Sequence, residues 1–301
     1  MNLSFKIGAG GMVMPAPSIT RTTAGPIQHI DAGQGEALLS LHGGLGGFDQ
    51  SWLLARALFP KPEPWRFLAL SRPGYLGTPL DIGRTPEAQA DAYAALLDRL
   101  GIERAVVAGL SAGGPSAIHF AIRHPDRCKA LILVSAVAAS LDIPPQVLRR
   151  LRMVTWLMAI PGMQNWLRRK VRRDPKETAR WSVSDPALAA RVLADPQAGD
   201  LFLAFQERVA EEIKRRLPGM INDVGLFRDL PDLPLGEVRQ PVLVVHGTAD
   251  PVVPFSHAQR MMAAIPHARL CRIEGGEHAA LFTHLDQVRA AASSFFADLI
   301  G

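Results

Sequence analysis

The chain has 301 residues, 48% of them hydrophobic, which is enough to bury the core of one large domain or two smaller ones and excludes a disordered protein. The formal net charge is +5, but the arginines are scattered and no helix-turn-helix, zinc or RNA-binding motif accompanies them, so we expect no binding to nucleic acid. The two cysteines, Cys128 and Cys271, lie in or beside apolar runs without a C-x-x-C motif, which argues against a disulfide framework and a structural zinc site.

The N-terminal segment shows no targeting signal. Residues 1–18 contain one lysine and scattered apolar residues interrupted by glycine and proline, which does not match the apolar core of a secretory signal. No apolar stretch reaches the length of a transmembrane helix, so we expect a cytoplasmic protein. We expect residues 1–26 to form an arm, and the sequence leaves open whether this arm packs on its own core or on a neighbour. The oligomeric state is open as well.

The first half of the chain alternates between apolar strands and helices. Continuous apolar runs predict buried strands at residues 36–41, 65–70, 105–108 and 130–134. Helical spacing occurs between them at residues 51–58, 86–100 and 115–123. The second of these helices has Thr85 as its N-cap and Pro86 at its first position. Because the strands are apolar along most of their length rather than at every second residue, they predict a parallel sheet that is covered on both faces.

One of these strands ends in a sharp turn that carries Ser111. Gly109 and Gly113 lie two residues to either side of this serine, in the pattern G-x-S-x-G, and a helix follows. Glycines at this spacing let strand and helix pass closely, while the turn lifts the hydroxyl clear of the sheet. Ordinary crowded turns also contain such glycines, so the interpretation of Ser111 as a nucleophile depends on partners elsewhere in the chain.

The pattern changes to helices punctuated by Pro-Gly and Asp-Pro pairs between residues 140 and 232. Apolar strands resume at residues 241–245 and 268–273, and a final helix is predicted over residues 285–299. We therefore expect a helical insertion between two parts of one sheet. The predicted domains are a core of residues 27–139 and 233–301 and a helical cap of residues 140–232.

A serine nucleophile needs a base and a group that orients the base. His278 follows the last predicted strand, and Asp250 follows the strand before it. Loops after parallel strands gather at one edge of the sheet, which is the edge that carries Ser111. The alternative acid is Asp142, and the alternative role of Asp250 is a local turn with Pro251. We predict that Ser111, His278 and Asp250 form a catalytic triad.

The glycine-rich loop from His42 to Gly47 follows the first predicted core strand at the same edge. Acyl transfer needs backbone N–H donors for the oxyanion. The predicted donors are Ala112, at the positive end of the helix after the serine, and either Gly44 or Leu45 in the loop. By itself, the loop is equally compatible with an ordinary turn between strand and helix.

The glycine loop, the turn at Ser111, Asp250 and His278 occur in the order in which the α/β-hydrolase fold family has them, and the chain resembles this family from about Ile27 to its C-terminus. The resemblance implies an α/β-hydrolase fold with a mostly parallel eight-stranded sheet and helices on both faces. It also implies a helical cap after the sixth strand and a pocket between cap and sheet. Neither a metal nor an organic cofactor is expected.

Two departures from the family pattern bear on the site. The turn after the strand at 65–70 begins Ser71-Arg72-Pro73-Gly74, where many relatives have aspartate first, so a carboxylate hydrogen bond there is lost or replaced. The loop has Leu45 in place of a third glycine and resembles the shorter oxyanion-loop class, which makes bulky tertiary-alcohol esters less favoured substrates.

The cap contains an apolar stretch followed by a basic run. Most of the stretch is expected to pack on the core and part of it to line an acyl pocket, with Trp156, Met158, Met163 and Trp166 as candidates. The basic run at residues 168–173 fits a solvated helix face, and the alternatives are steering of anionic substrates and transient contact with an acidic membrane surface.

Together these features predict a serine hydrolase that cleaves a small or medium carboxylic ester, thioester or lactone through an acyl-enzyme, with the acyl substrate and water as its partners. Alternatives with the same triad are a carbon-carbon bond hydrolase of a dienoate or β-diketone and a perhydrolase or cofactor-free haloperoxidase. An alternative of another class is a non-catalytic ligand receptor. Epoxide hydrolases and haloalkane dehalogenases are disfavoured because they have aspartate at the position of Ser111.

Overall fold

The computed structural model describes residues 5–7, 12–61, 63–180 and 182–300, and a sheet of eight strands runs through this part of the chain. Its strands and a short preceding pair are β1 (Phe5–Ile7), β2 (Met12–Met14), β3 (Ser18–Thr22), β4 (Gly25–Gly33), β5 (Glu36–Leu41), β6 (Trp65–Leu70), β7 (Ala105–Leu110), β8 (Cys128–Val134), β9 (Val242–Gly247) and β10 (Arg269–Ile273).

The sheet is mostly parallel. Its strand order is β10-β9-β8-β7-β5-β6-β4-β3, and the strands from β5 to β10 all run in one direction. Only the pairings of β4 with β6 and of β3 with β4 are antiparallel within the described sheet. The mostly parallel eight-stranded sheet that was predicted from the resemblance is therefore confirmed.

Helices cover both faces of the sheet. They are α1 (Phe48–Leu58), α2 (Pro86–Arg99), α3 (Gly114–Arg123), α4 (Pro145–Met158), α5 (Met163–Arg173), α6 (Pro175–Ala179), α7 (Pro186–Ala194), α8 (Pro196–Glu211), α9 (Ile213–Arg228), α10 (Ser256–Ala264), α11 (Ala280–Thr283) and α12 (Leu285–Ile300). Successive strand residues contribute to two separate cores, with Val106 on the side of α1 and α12 and Val107 on the side of α2, α3 and α10. Among the described helices, none has the length and apolar composition that crossing a bilayer requires.

The predicted arm, residues 1–26, contributes a strand to the sheet. In β3, Ile19 lies opposite Gln28 of β4, so this strand forms one edge of the sheet. The prediction missed β3 because its sequence is mostly polar, as is common in an exposed edge strand. The boundary predicted at residue 26 is therefore too late for the sheet, and residues 1–4 and 8–11 of the arm lie outside the described part.

Six helices, α4 to α9, lie between β8 and β9 in this part of the chain. Three of them begin at Asp-Pro pairs, where the aspartate accepts a hydrogen bond from a backbone N–H of the first turn. The distances are 2.8 Å at Asp174, 2.8 Å at Asp185 and 2.7 Å at Asp195. Proline fits the first helical position because its missing N–H has no partner there. The Asp-Pro pairs seen in the sequence thus mark the starts of helices.

The turn between β7 and α3 has no space for side chains at its two glycines. A Cβ atom on Gly113 would lie 2.7 Å from the carbonyl oxygen of Leu41, and one on Gly109 would lie 2.9 Å from Cβ of Ala117. Both distances are below van der Waals contact. The close passage of α3 across the sheet therefore depends on these glycines.

We predict that Gly113→Ala lowers the free energy of unfolding by about 1–3 kcal/mol, because the added methyl group meets backbone atoms that cannot rotate away. The matched control is Gly225→Ala in α9, where a Cβ meets nothing within 4 Å. This change should raise stability by up to about 1 kcal/mol through helix propensity. Urea denaturation of both variants measures the difference, and equal effects would contradict the packing argument.

Candidate active site

Ser111 lies where β7 ends and the 3₁₀ turn Ser111–Gly113 leads into α3. Its φ is +50°, in the left-handed region that non-glycine residues rarely adopt. Strain of this kind costs about 1–3 kcal/mol and persists where the surrounding structure imposes it. The strand, sharp turn and helix predicted around Ser111 are therefore present, with the serine in the strained conformation that such a turn requires.

His278 and Asp250 form a hydrogen-bonded chain with this serine. His278 Nε2 lies 3.0 Å from Ser111 Oγ, and His278 Nδ1 lies 2.8 Å from Asp250 Oδ2. Because the carboxylate only accepts, Nδ1 carries the proton and Nε2 accepts from the serine hydroxyl. The structure thus brings together the three residues that the sequence predicted, from loops that follow β7, β9 and β10.

Asp250 is held as a buried carboxylate. Its side chain is fully buried, and its Oδ1 accepts hydrogen bonds from the N–H groups of Val252 at 2.8 Å and Val253 at 2.9 Å. Burial opposes ionisation, but the hydrogen bonds from His278 and from these two N–H groups outweigh it and lower the pKa of Asp250. The local turn that was the alternative role of Asp250 therefore exists beside its contact with His278.

The competing candidates do not contact Ser111 or His278. Asp142 is exposed. His246 lies 3.6 Å from Asp250, but its Nε2 donates to the carbonyl oxygen of Val253 at 2.8 Å. Burial lowers the pKa of His246, which keeps this imidazole neutral beside the Asp250–His278 pair.

The predicted oxyanion donors Gly44, Leu45 and Ala112 line the same cavity as Ser111. Tyr75 lies beside this loop, and burial and the neighbouring Asp223 raise the pKa of its hydroxyl well above the ordinary value. Gly44 and Leu45 both remain candidates for the loop donor.

His42 holds the glycine loop in place. Its Nε2 accepts from the N–H of Arg72 at 2.9 Å, and its Nδ1 donates to the carbonyl oxygen of Gly43 at 2.7 Å. Burial and the charge of Arg72 lower the pKa of His42 well below its ordinary value. The imidazole is therefore neutral and can accept from one side and donate on the other.

Two buried ion pairs join α9 to the loops around the site. Arg72 pairs with Asp223, which also accepts from the Tyr75 hydroxyl at 2.6 Å. Arg216 pairs with Asp49 of α1 at 2.5 Å. Sequence reasoning missed these residues, although Arg216 and Asp223 are seven residues apart, which puts both on one face of a helix.

Ser71 replaces the aspartate of the family pattern with a hydroxyl. Its Oγ accepts from the N–H of Phe48 at 3.0 Å and donates to Gln28 Oε1 at 3.2 Å. Phe48 is the first residue of α1, so Ser71 supplies the start of that helix with an acceptor. The carboxylate hydrogen bond that aspartate would make at this turn is therefore replaced by hydrogen bonds of the Ser71 hydroxyl.

Two cavities meet at Ser111 and His278. The larger, about 320 Å³, has mostly apolar walls from α4, α9 and the segment after β8, including Val137, Leu141, Ile143, Val147, Val224 and Phe227. The smaller, about 220 Å³, is bounded by α8 and the loop after β10, and it carries polar groups from Arg180, Ser182 and Glu277. Both cavities are therefore in contact with the same serine and histidine.

The four predicted substrate contacts lie elsewhere. Neither cavity at Ser111 is lined by Trp156, Met158, Met163 or Trp166. The side chains of Trp156 and Trp166 are 80% and 57% exposed. From α4, the larger cavity is lined by Val147 instead, because apolar composition does not reveal which side of a helix packs.

Glu277 links the loop of His278 to the helical segment. Its carboxylate accepts from the N–H groups of Ser184 at 2.7 Å and Asp185 at 3.3 Å. Sequence reasoning did not identify Glu277 as a candidate site residue, although its position next to the predicted base His278 could have indicated it.

The chain is similar to known proteins that are named as hydrolases. A family model described as alpha/beta hydrolase fold matches residues 36–285. A pimeloyl-[acyl-carrier protein] methyl ester esterase of Aromatoleum aromaticum is 30% identical over 249 residues, which are 82% of this chain and 92% of that protein. A 2-hydroxy-6-oxo-6-phenylhexa-2,4-dienoate hydrolase of Burkholderia cepacia is 26% identical over 89% of this chain and 90% of its own length. The structure of an alpha/beta hydrolase fold protein from Nakamurella multipartita matches with a TM-score of 0.74 at 31% identity, covering 94% of this chain and 100% of that one.

We predict that Asp223→Ala lowers the free energy of unfolding by about 3–5 kcal/mol, because it leaves the buried Arg72 without its carboxylate. The matched control is Asp232→Ala, which breaks the exposed pair with Arg260 and should cost less than about 1 kcal/mol. Chemical denaturation monitored by circular dichroism measures both changes. A loss at Asp223 as small as that at Asp232 would show that the buried pair does not hold α9.

Proposed function

The chain belongs to the α/β-hydrolase fold family, and we propose that it is a serine hydrolase that cleaves a small or medium carboxylic ester, thioester or lactone. One observation carries this proposal: the hydrogen-bonded chain Ser111–His278–Asp250 ends at the junction of two cavities. A serine activated in this way attacks an acyl carbon that lies between the two cavities.

In the first half of the proposed reaction, Ser111 Oγ attacks the acyl carbon while His278 Nε2 takes its proton. The carboxylate of Asp250 stabilises the imidazolium that forms. The oxyanion accepts hydrogen bonds from the N–H groups of Ala112 and of Gly44 or Leu45, and the leaving alcohol departs with the proton from His278. The ester carbonyl has then become an acyl group on Ser111.

In the second half, water enters the position that the alcohol has left. His278 takes a proton from this water, and the resulting hydroxide attacks the acyl carbon of the acyl-enzyme. The same two N–H groups stabilise the second oxyanion. The proton returns from His278 to Ser111 as the carboxylic acid leaves, so the triad is restored without a metal or an organic cofactor.

We assign the acyl group to the larger cavity, because its walls are mostly apolar and an alkyl chain gains free energy by leaving water there. The smaller cavity, with its polar groups, takes the alcohol side. A volume of about 320 Å³ at the base of the site fits small and medium acyl chains. The similarity to a methyl ester esterase supports a carboxylic ester and a small alcohol.

Residues 140–232 act in this proposal as a cap. They supply Leu141, Ile143 and Val147 to the larger cavity and Ser182 and Phe202 to the smaller one. The core, residues 27–139 and 233–301 together with β3, supplies the triad and the oxyanion donors. Substrate choice is therefore a property of the cap.

A second candidate is hydrolysis of a carbon-carbon bond in a dienoate. Arg180 supplies a guanidinium to the smaller cavity beside Ser111, where it can pair with a substrate carboxylate. The similarity to a dienoate hydrolase over most of both chains supports this candidate. The ester is favoured because Glu277 also lines the smaller cavity and offsets the charge of Arg180.

We predict that Ser111→Ala lowers kcat for p-nitrophenyl butyrate by on the order of 1000-fold or more while the unfolding midpoint stays within a few degrees. A fluorophosphonate should label the wild-type chain on Ser111 and leave the variant unlabelled. The matched control is Ser116→Ala, a buried serine five residues further on, which should keep both labelling and turnover.

Turnover and labelling measurements also separate the alternative functions. Turnover of a 2-hydroxy-6-oxo dienoate well above that of every ester would favour the carbon-carbon hydrolase, and oxidation of bromide with peroxide would favour the haloperoxidase. Absence of labelling and of all turnover would favour a ligand receptor. Normal turnover by Ser111→Ala would remove the serine from the mechanism.

We predict that Val224→Phe shortens the accepted acyl chain, because the larger side chain fills the cavity that we assign to it. The value of kcat/KM for an octanoate ester should fall by about tenfold or more, with little change for the acetate ester. The matched variant Phe205→Trp narrows the smaller cavity and should discriminate among alcohol groups instead. If Val224→Phe instead discriminates among alcohol groups and Phe205→Trp shortens the accepted acyl chain, the acyl group lies in the smaller cavity and the alcohol in the larger one.

A further inference from the structure

The hairpin of α4 and α5 carries a patch of exposed apolar side chains. Its members, with their exposed fractions, are Met153 (54%), Trp156 (80%), Leu157 (40%), Ile160 (50%) and Trp166 (57%). Met153, Trp156, Leu157 and Ile160 follow the pattern i, i+3, i+4 and i+7, which puts them on one side of α4 and its end. Large apolar groups concentrated at one surface mark an interaction site more often than scattered ones do.

Positive charge surrounds this patch. Between Ile143 and Arg173 the sequence has eight basic residues and no acidic one. Arg149 and Arg152 are exposed on α4, and Arg169 and Lys170 are exposed on α5, one turn beyond Trp166. Arginine and lysine bear their charge on long stems that lie along apolar surface while the charge stays in water.

We propose that this hairpin docks on a lipid surface with anionic headgroups. The apolar side chains, with Trp156 as the most exposed, enter the boundary between headgroups and acyl chains, and the cations pair with lipid phosphates. Aromatic and aliphatic groups between arginines and lysines are the composition that an amphipathic helix needs to lie in such an interface.

The charge around the patch also argues against a second copy of the chain as the partner that covers it. A symmetric dimer through this patch would place the same surface of each copy against the other. The exposed basic residues beside the patch, Arg149, Arg152, Arg169 and Lys170, would then approach their copies without an acidic residue from this segment, which is unfavourable. An anionic surface, in contrast, attracts them.

The hairpin connects the lipid surface to the site. The helix that carries Trp156 also carries Val147, which lines the larger cavity beside Ser111. A chain docked through α4 therefore holds the cavity next to the bilayer. Substrates that partition into lipid, such as esters of longer acids, would reach Ser111 from that side, and this last step rests on the proposed function.

The test measures binding of the full chain to vesicles by flotation. Vesicles of phosphatidylcholine with about 30 mol% phosphatidylglycerol are compared with pure phosphatidylcholine. The wild-type chain should float with the anionic vesicles and stay in solution with the neutral ones. Raising NaCl to about 0.5 M should release most of it, because salt screens the charges.

Two variants separate the contribution of charge to vesicle binding from that of apolar burial. Arg168→Glu combined with Arg169→Glu should lower the apparent partition coefficient by at least about tenfold, because each basic residue near an anionic surface adds to binding. Trp156→Ser should lower it by about tenfold through lost apolar burial. The matched controls, Arg239→Glu and Ile19→Ser, change exposed residues on other elements and should bind as the wild type does. Circular dichroism checks that every variant is folded.

Failure of the wild-type chain to float with anionic vesicles overturns the proposal. Equal losses in the hairpin variants and the controls also overturn it, as does a dimer in sedimentation that Trp156→Ser dissociates. Because the experiment measures flotation rather than turnover, its result for membrane docking does not depend on esterase activity.

Discussion

The buried pair of Arg72 and Asp223 is the contact on which the arrangement of the site depends. Arg72 also donates from its backbone N–H to His42, and Asp223 accepts from the Tyr75 hydroxyl. One cluster therefore joins the glycine loop, the turn after β6 and helix α9. A charge pair removed from water is stable only when its other hydrogen bonds are satisfied, so this cluster tolerates few alternative positions of α9 over the core.

The three candidate catalytic residues and the two cavities beside them have different physical origins. Ser111, Asp250 and His278 lie on loops that follow strands of one sheet, and their distances are determined by strand spacing and by a strained turn. The cavities are bounded by helices that pack on the core through side chains. The proteins to which this chain is similar include an esterase and a dienoate hydrolase, so the same fold accompanies different substrates.

Much of the core could be predicted from local patterns. The strand at Glu36–Leu41 and that at Trp65–Leu70 agree to the residue, because a buried parallel strand is apolar along most of its length. Strand β3 was missed, because it lies at the sheet edge and its polar residues face water. Trp156 and Trp166 were assigned to the pocket on composition, yet the helices that bear them present these side chains to solvent.

The sequence by itself determined the fold class and the identity of the three candidate catalytic residues, because each of these depends on spacing within one strand, turn and helix and on the order of strands in the chain. Only the tertiary structure decided that Ser71 bonds to the N–H of Phe48 and to Gln28, since these partners lie on other elements of the chain. It also decided which face of α4 is covered and that α9 bears the partners of Arg72 and Asp49. These contacts join residues far apart in the chain, and no local pattern records which of many charged or apolar side chains will meet.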